Sequence, residues 1–156
     1  MTTPRADEDL ERTAASIEQA INTVVTERGW NLEQVHDQQI WSTNLAGEHG
    51  SYLCYLQVES DRGQVVFYGI VPALADELAR VQTAVAMAGV NYGLAVGKFE
   101  LDLTDGEMRF STGIDVSGTT LDPIVFARMA DHAIEMLDAY TPVLREPPPL
   151  PEPVAG

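Results

Sequence analysis

The stretch VNYGLAVGKFELDLTDGEMRF, residues 90–110, has the pattern of a β-hairpin. Its Asp-Gly dipeptide at 105–106 favours a two-residue turn, and apolar residues alternate with polar ones on both sides of that turn. Leu101 and Phe110 would then lie opposite each other, and a slip of one residue would send them to opposite faces. The stretch therefore predicts two antiparallel strands that direct one apolar face towards a core. The residues predicted on that face are Leu101, Leu103, Met108 and Phe110.

Three segments further upstream predict strands. Residues 52–58 and 65–72 are rich in β-branched and aromatic side chains, and the unbroken apolar run at 65–72 is typical of a strand buried on both sides. Residues 30–41 predict a weaker strand, because their centre is polar. Strict alternation would place Trp30 and Trp41 on opposite faces, so either this strand is bulged or one tryptophan lies outside the core.

Three segments have the apolar spacing of helices. The first spans roughly residues 7 to 28. The second follows Pro72 and contains Gly89, whose cost inside a helix favours a role in close packing. The third begins after the capping residue Asp122 and should stop at Pro142. The apolar stripe of the second helix consists of Leu74, Leu78, Val81, Val85, Ala88 and Tyr92.

The predicted order of elements is α-β-β-β-α-β-β-α. Strands joined by short turns, with a terminal hairpin, favour an α+β fold that has one five-stranded antiparallel sheet and three helices. Helices one and two are expected on the sheet face that carries the apolar residues of the hairpin. Residues 1–145 form a single domain in this prediction, and the proline-rich residues 146–156 are expected to be a disordered tail.

The composition restricts the class of protein. A chain of 156 residues suffices for one core, and the single cysteine, Cys54, excludes an internal disulfide. The net charge of -15 repels phosphate backbones, so no nucleic-acid partner is expected. No apolar run reaches the roughly 18 residues of a membrane span, and the acidic start of the sequence is unlike a signal peptide. We therefore expect a cytoplasmic acidic protein without membrane association.

No group of residues predicts catalysis or a bound cofactor. His132 and Glu135 are neighbours on the third predicted helix, but without a second pair of ligands they are interpreted as a solvated helix face. Cys54 lies in an apolar strand, where thiols usually serve as packing groups. The GxSxG motif is absent, and the glycines of residues 89–97 follow a helix, unlike those of a phosphate-binding loop. Neither catalytic nor metal nor cofactor-binding residues are predicted.

The third predicted helix carries more apolar residues than one packed face requires. Ile124, Val125 and Met136 lie outside its main stripe and, together with Trp41, form a possible interface. Two interpretations remain open for these four residues, a surface for self-association or a partner and a deeper core. The PPPLP run at 147–151 resembles ligands of polyproline-binding grooves, although such termini are usually extended tails.

Several segments resemble the YbjN family, known as bacterial sensory transduction regulators. They are VVFYGIVP at 65–72, the residues Asn91, Gly97, Phe99, Asp102 and Gly106, and AIEMLDAYTPVL at 133–144. The resemblance extends from Ile17 to Leu144 and leaves out the proline-rich tail. The fold of that family is similar to that of type III secretion chaperones. The resemblance implies a small binding or regulatory protein, often a dimer, with no established chemistry.

Two classes of function follow from these observations. The first is a non-enzymatic protein-binding module, regulator-like or chaperone-like, that acts as a homodimer on a protein partner or client. The second is a small enzyme whose site is assembled from distant residues such as His36 and His132. A specialised secretion chaperone for a specific client is a further alternative.

Overall fold

The computed structural model describes residues 4–154, which contain three α-helices and six β-strands. No helix in this part of the chain is both long enough and apolar enough to cross a membrane. The helices are α1 (Pro4–Arg28), α2 (Arg80–Tyr92) and α3 (Pro123–Arg145), and a 3-10 turn (Glu77–Ala79) precedes α2. The strands are β1 (Glu33–Gln34), β2 (Ile40–Ala46), β3 (Ser51–Glu59), β4 (Gln64–Leu74), β5 (Lys98–Leu101) and β6 (Glu107–Asp115).

The strands form one antiparallel sheet in the order β1-β2-β3-β4-β6-β5. An α+β fold with three helices and an antiparallel sheet is confirmed, but the prediction of five strands is wrong. The additional strand comes from residues 30–41. Within them, His36 and Asp37 adopt positive φ angles of 47° and 55°. Two consecutive residues in this conformation reverse the chain, so the polar centre of the segment is a hairpin turn between β1 and β2.

This turn allows both tryptophans to pack against the core. Trp30 precedes β1, and its ring centroid lies 6.3 Å from that of Phe67 and 6.1 Å from that of Phe126. Trp41 lies opposite Leu56 in the pairing of β2 with β3 and is partly buried. Because a turn separates the two tryptophans, the alternation of a single strand does not apply to them.

The predicted hairpin forms with the predicted face but with a different register. Leu101 pairs with Met108, and Phe99 pairs with Phe110. Leu101 and Phe110 therefore lie on the same face of the sheet, as predicted. Leu103 lies in the loop and is 64% exposed, so its predicted place on the packed face is wrong.

The loop is longer than two residues because its backbone is bound elsewhere. Gly106 has a φ of 82°, and its carbonyl oxygen accepts a hydrogen bond of 2.8 Å from the N–H of Ala75. The carboxylate of Asp102 accepts the N–H of Thr104 at 2.8 Å, in the manner of an Asx turn. The first contact joins the loop to the chain that follows β4, and the second fixes the conformation of the loop itself.

The three helices cover one face of the sheet. α3 crosses β4 and β6, α1 packs against α3, and α2 packs beside β5. The sequence assigned this face to the first two helices, whereas α3 makes the main contact with the sheet centre. Gly69 permits this approach, since a Cβ at that position would lie 2.5 Å from Leu137 Cδ1. The largest fully buried side chains include Phe67, Phe110, Phe126, Ile17, Leu56, Met108 and Leu137.

The second helix differs most from its prediction. It begins at Arg80, because β4 continues through Pro72, and an irregularity in the pairing of β4 with β6 accommodates this residue, which has no N–H. The buried residues of α2 are Thr83 and Met87, and Thr83 Oγ1 donates a hydrogen bond of 3.0 Å to the carbonyl oxygen of Ala79. The stripe predicted as the core face of this helix lies on its opposite side.

Gly89 in α2 does not permit close packing within the described chain. A Cβ at this position would meet no atom within 4 Å. The predicted role of Gly89 in close packing is therefore not met by contacts within residues 4–154, and it stays a prediction for contact with another molecule.

The proline-rich segment after α3 forms neither helix nor strand over residues 146–154. The side chain of Gln82 donates hydrogen bonds to the carbonyl oxygens of Pro147 at 3.0 Å and Pro148 at 2.8 Å. The segment thus begins alongside α2. Its last two residues, 155 and 156, lie outside the described part of the chain, as do residues 1–3 of the predicted domain.

Candidate functional site

The four residues predicted as a possible interface occupy different environments. Ile124 and Val125 are exposed in the first turn of α3. Met136 is half-buried and packs against the core, on the helix face that also carries His132 and Tyr140. Trp41 is half-buried on the covered face of β2. Ile124 and Val125 are thus the two members of this set that solvent can reach most freely.

A larger apolar surface lies on α2 and beside it. Leu78 is 94% exposed in the 3-10 turn before α2, and Tyr92 is 96% exposed at the end of α2, on the side opposite to Thr83 and Met87. Single exposed apolar residues are ordinary, but a contiguous group marks an interaction surface. We refer to this group as the α2 surface. It consists of Leu74, Leu78, Val81, Val85 and Tyr92.

The part of the α2 surface from Val81 to Tyr92 lies in a stretch without charge. Residues 81–97 contain no acidic or basic side chain, in a protein whose net charge is -15. Gly89 lies on the same stripe, one helical turn beyond Val85, and leaves the helix backbone accessible there. A second helix that approached this part of α2 would therefore meet no charged side chain of residues 81–97.

A second candidate site is a groove between β2 and α3. It has a volume of about 950 Å³ and is bounded at one end by the chain that joins α1 to β1. We refer to it as the β2–α3 groove. Its apolar lining residues include Trp30, Leu45, Ala130 and Ile134.

Two polar contacts hold the walls of this groove in place. Arg28 at the end of α1 forms a two-pronged ion pair with Asp131 of α3, in which Nη2 lies 2.9 Å from Oδ2. The hydrogen bond that the Arg28 guanidinium donates to Asp131 is the largest of the effects that raise the pKa of Arg28. This pair joins α1 to α3 and neutralises the one arginine that lines the groove.

The second contact joins α3 to the turn between β2 and β3. The carboxylate of Asp138 accepts hydrogen bonds from the N–H of Glu48 at 2.7 Å, the N–H of His49 at 3.1 Å and the hydroxyl of Tyr52 at 2.5 Å. Burial alone would raise the pKa of Asp138, but these hydrogen bonds outweigh it and lower that pKa. Burial, with the bond to Asp138, raises the pKa of Tyr52 to about 12. A Cβ on Gly47 would lie 2.6 Å from the carboxylate oxygens, so the turn fits closely around this side chain.

The remaining charge on the groove is negative. Glu33, Glu48 and Glu135 are exposed on three different elements around it, and they form no ion pair within the described residues. His49 is the other lining residue that can carry a positive charge. The groove therefore combines apolar lining residues with exposed acidic ones.

The nucleophilic and titratable groups named by the sequence do not converge. Burial raises the pKa of the Cys54 thiol to about 12, which keeps it protonated and poorly reactive. His36 lies in the turn at one edge of the sheet, whereas His132 Nε2 lies 2.9 Å from the carbonyl oxygen of Val96, near the other edge. Among residues 4–154, no three His, Cys, Asp or Glu side chains are placed to hold a metal ion.

Comparison with known proteins identifies the family. The sequence model of YbjN, described as "Putative bacterial sensory transduction regulator", matches residues 18–146. The chain belongs to the YbjN family. Among curated protein sequences, none matches it.

Solved structures support the same fold. YbjN from E. coli, a "putative transcription regulator", is 13% identical with a TM-score of 0.58, over 81% of this chain and 86% of that one. The HopA1–SchA chaperone–effector complex contains a chain that is 10% identical with a TM-score of 0.59, over 83% and 95%. The ExsC–ExsE complex contains one that is 10% identical with a TM-score of 0.59, over 86% and 98%. The predicted YbjN-like sequence and chaperone-like fold are thus confirmed.

Neither the α2 surface nor the β2–α3 groove can be recognised as a surface from the sequence alone. The residues of the α2 surface were recognised as a stripe, but the pattern alone does not reveal whether a stripe faces the core or solvent. The groove is assembled from segments far apart in the chain, so no local pattern marks it. The absence of charge over residues 81–97 is the one sequence signal that distinguishes α2 from the other helices.

Proposed function

We infer that this YbjN-family protein is a non-enzymatic, cytoplasmic, regulator-like or chaperone-like module that binds other proteins as a homodimer. The observation that supports this proposal best is the α2 surface. Its large apolar side chains project into solvent, and their burial would contribute roughly 25 cal/mol per Å². Such a surface is typical of a protein–protein interface.

A second copy of the chain is the partner that fits the α2 surface best. In a two-fold dimer the same patch meets itself, so apolar side chains on one helix are buried by those on the other. Two molecules that each carry a net charge of -15 repel each other, and contact through an uncharged surface reduces that repulsion. At Gly89 an added Cβ would meet no atom within 4 Å in the described part of the chain, so this residue would let two α2 helices approach closely.

The residues Trp41, Ile124, Val125 and Met136 remain a proposed interface for a partner or client. Ile124 and Val125 supply its exposed part, in the first turn of α3. The chaperone–effector complex among the similar structures supports a client polypeptide as the partner, and the family description supports a regulatory partner. A specialised secretion chaperone is the second candidate function, for which the similarity of fold is the supporting observation.

Light scattering during size-exclusion chromatography tests the dimer. The wild type should elute with about twice the chain mass of 17.0 kDa. Val81→Asp combined with Val85→Asp should give a folded monomer, because burial of unpaired charges in the interface would be strongly unfavourable. The matched control, Ile124→Asp with Val125→Asp, changes two exposed apolar residues of α3 and should remain a dimer.

Other masses of the wild type and of the two variants would change the proposal in different ways. A monomeric wild type at high concentration would contradict the dimer. If the α3 variant became monomeric and the α2 variant stayed dimeric, the dimer would form through α3 instead. Circular dichroism of both variants shows whether a variant that is no longer dimeric is still folded.

A further inference from the structure

The two edges of the sheet are protected to different extents. Along β5, the side chain of Asn91 bonds to both backbone groups of Phe99 and so occupies the edge. At the other edge, β1 pairs with β2 only through Glu33 with Ser42 and Gln34 with Trp41. β2 continues to Ala46, so its last residues have no neighbouring strand on that side within the described chain. Exposed strand edges are sites where another strand can pair.

The backbone groups on this open edge can be assigned to residues. The N–H of Gly47 donates to the carbonyl oxygen of Gly50, and the N–H of Val58 donates to that of Gln39. The register of β2 with β3 is uninterrupted between these bonds. Because backbone groups alternate in direction along an antiparallel strand, those of Thr43 and Leu45 point towards β3. Those of the exposed residues Asn44 and Ala46 point outwards.

The open edge borders the β2–α3 groove. The groove is lined by residues 42–47, and its opposite wall is α3 with Ala130 and Ile134. An extended segment that paired with the edge would therefore run along the groove, with alternate side chains towards the apolar wall. The volume of about 950 Å³ accommodates a short peptide segment rather than a single small ion.

The charges around the groove favour a basic segment. Glu33, Glu48 and Glu135 surround it from three elements, while Arg28 is already paired with Asp131. Such complementary charges increase the rate of association and discriminate against partners of the wrong charge. An acidic segment would face these carboxylates together with the net charge of -15.

We propose that the β2–α3 groove binds an extended polypeptide segment rich in lysine or arginine, which adds as a strand to the open edge of β2 at Asn44 and Ala46. This inference deepens the proposed function by naming the chemistry of the partner. It does not depend on the dimer, since the α2 surface lies beside β5, at the other edge of the sheet.

Hydrogen exchange measured by NMR tests the strand pairing in the wild-type protein. The probe is a soluble peptide that alternates lysine with valine. In the free protein the amides of Asn44 and Ala46 should exchange quickly, whereas those of Thr43 and Leu45 should be protected by β3. With saturating peptide, Asn44 and Ala46 should become protected, and Thr43 and Leu45 should change little. Unchanged exchange at Asn44 and Ala46 would overturn the proposal.

Fluorescence anisotropy with the labelled peptide tests the recognition. A counterpart with glutamate in place of lysine should bind at least about tenfold more weakly, and the lysine peptide should lose affinity as salt is raised. Replacement of Glu33, Glu48 and Glu135 by glutamine should reduce this preference. The matched control replaces Glu8, Glu11 and Glu18, which are exposed on α1, and should retain it. Equal binding of both peptides would overturn the assignment of a basic partner.

A proline variant tests the edge itself. Ala46→Pro removes an N–H that points away from β3, so the pairing of β2 with β3 is retained. The affinity for the lysine peptide should fall about tenfold, as expected when a backbone hydrogen bond is lost and the edge is blocked. Ala46→Val keeps the N–H and should bind like the wild type. Wild-type affinity in a folded Ala46→Pro protein would overturn strand addition. The mass of the same variant in light scattering tests the homodimer separately: a dimeric mass would support the homodimer even if the peptide did not bind.

Discussion

The side-chain amide of Asn91 takes the place of a neighbouring strand along Phe99. Nδ2 donates to the carbonyl oxygen of Phe99 at 3.0 Å, and Oδ1 accepts the N–H of the same residue at 2.8 Å. One side chain of α2 thus satisfies both backbone groups that Phe99 presents at the edge of β5. The same contact fixes the end of α2 beside β5 and so determines which side of that helix faces solvent.

Asn91→Ala should therefore destabilise the fold. The substitution leaves the N–H and the carbonyl oxygen of the buried Phe99 without these partners, and the free energy of unfolding should fall by about 1–3 kcal/mol. Chemical denaturation followed by circular dichroism measures this change. Asn22→Ala, at an exposed position of α1, serves as the control and should cost less than about 1 kcal/mol. An Asn91→Ala protein as stable as this control would show that water replaces the amide without loss.

Asp138 should make stability depend on acid pH. Because its folded-state pKa lies below the unfolded value near 4, its stabilising effect is complete above that value and is lost as the pH falls through the folded pKa. Asp138→Asn should lower the free energy of unfolding at neutral pH. The difference from the wild type should shrink below about pH 4, measured by urea denaturation across the pH range.

Two further variants separate this effect from general loss of surface charge. Tyr52→Phe removes one of the three donors to Asp138 and should reduce the acid dependence in part. Asp61→Asn changes an exposed carboxylate in the turn after β3 and should have little effect on the free energy of unfolding. A difference between the wild type and Asp138→Asn that does not change with pH would contradict the assigned linkage.

Tyr52 should make the stability of the fold depend on alkaline pH. Its folded-state pKa of about 12 lies above the ordinary value near 10, so its stabilising effect is complete below pH 10 and is lost as the pH rises towards 12. In Tyr52→Phe, this alkaline loss of stability should be smaller than in the wild type. Denaturation between about pH 9 and pH 11 measures the difference.

Local sequence patterns predicted elements better than they predicted surfaces. The alternation around Leu101 and Phe110 gave the correct shared face, because side-chain direction in a strand depends on local geometry. The predicted register of the hairpin was wrong by two residues, because Gly106 is bound by Ala75, far from it in the sequence. The turn at His36 and Asp37 was missed because it contains neither Gly nor Pro, and a single aspartate in a polar stretch does not by itself mark a turn.

The orientation of α2 could not be derived from its own residues. Leu78, Val81 and Val85 form the more apolar stripe, yet Thr83 and Met87 face the core. Burial of the threonine is possible because its hydroxyl bonds to the carbonyl oxygen of Ala79. The helix is oriented by its tertiary contact with β5, and no pattern within the helix records that contact.

Gly69 should tolerate no side chain. A Cβ at this position would lie 2.5 Å from Cδ1 of the fully buried Leu137 and 3.4 Å from Cys54 Sγ. Gly69→Ala should therefore cost about 1–3 kcal/mol in the free energy of unfolding, as is typical of overpacking. Gly50→Ala is the control, since the nearest atom to its Cβ would lie 3.7 Å away.

A double mutant identifies the cause of that cost. If the methyl group of Gly69→Ala collides with Leu137, the combination with Leu137→Ala should cost less than the sum of the two single changes. Additive effects would instead assign the loss to the backbone of β4.

Gly89 distinguishes an α2 surface that is covered by a second copy from one that remains in water. In an isolated chain a Cβ at this position meets no atom within 4 Å, so Gly89→Ala should raise the free energy of unfolding of a monomer by about 0.5–1 kcal/mol through helix propensity.

Gly89→Leu has a similar advantage for the helix but places a large side chain where the second α2 would approach. Its dimer dissociation constant, measured by sedimentation equilibrium over a concentration series, should be clearly higher than that of the wild type. Ala15→Leu, at an exposed position of α1, is the control and should leave the dissociation constant unchanged. If Gly89→Leu dimerised as tightly as the wild type, the centre of α2 would not be part of the interface.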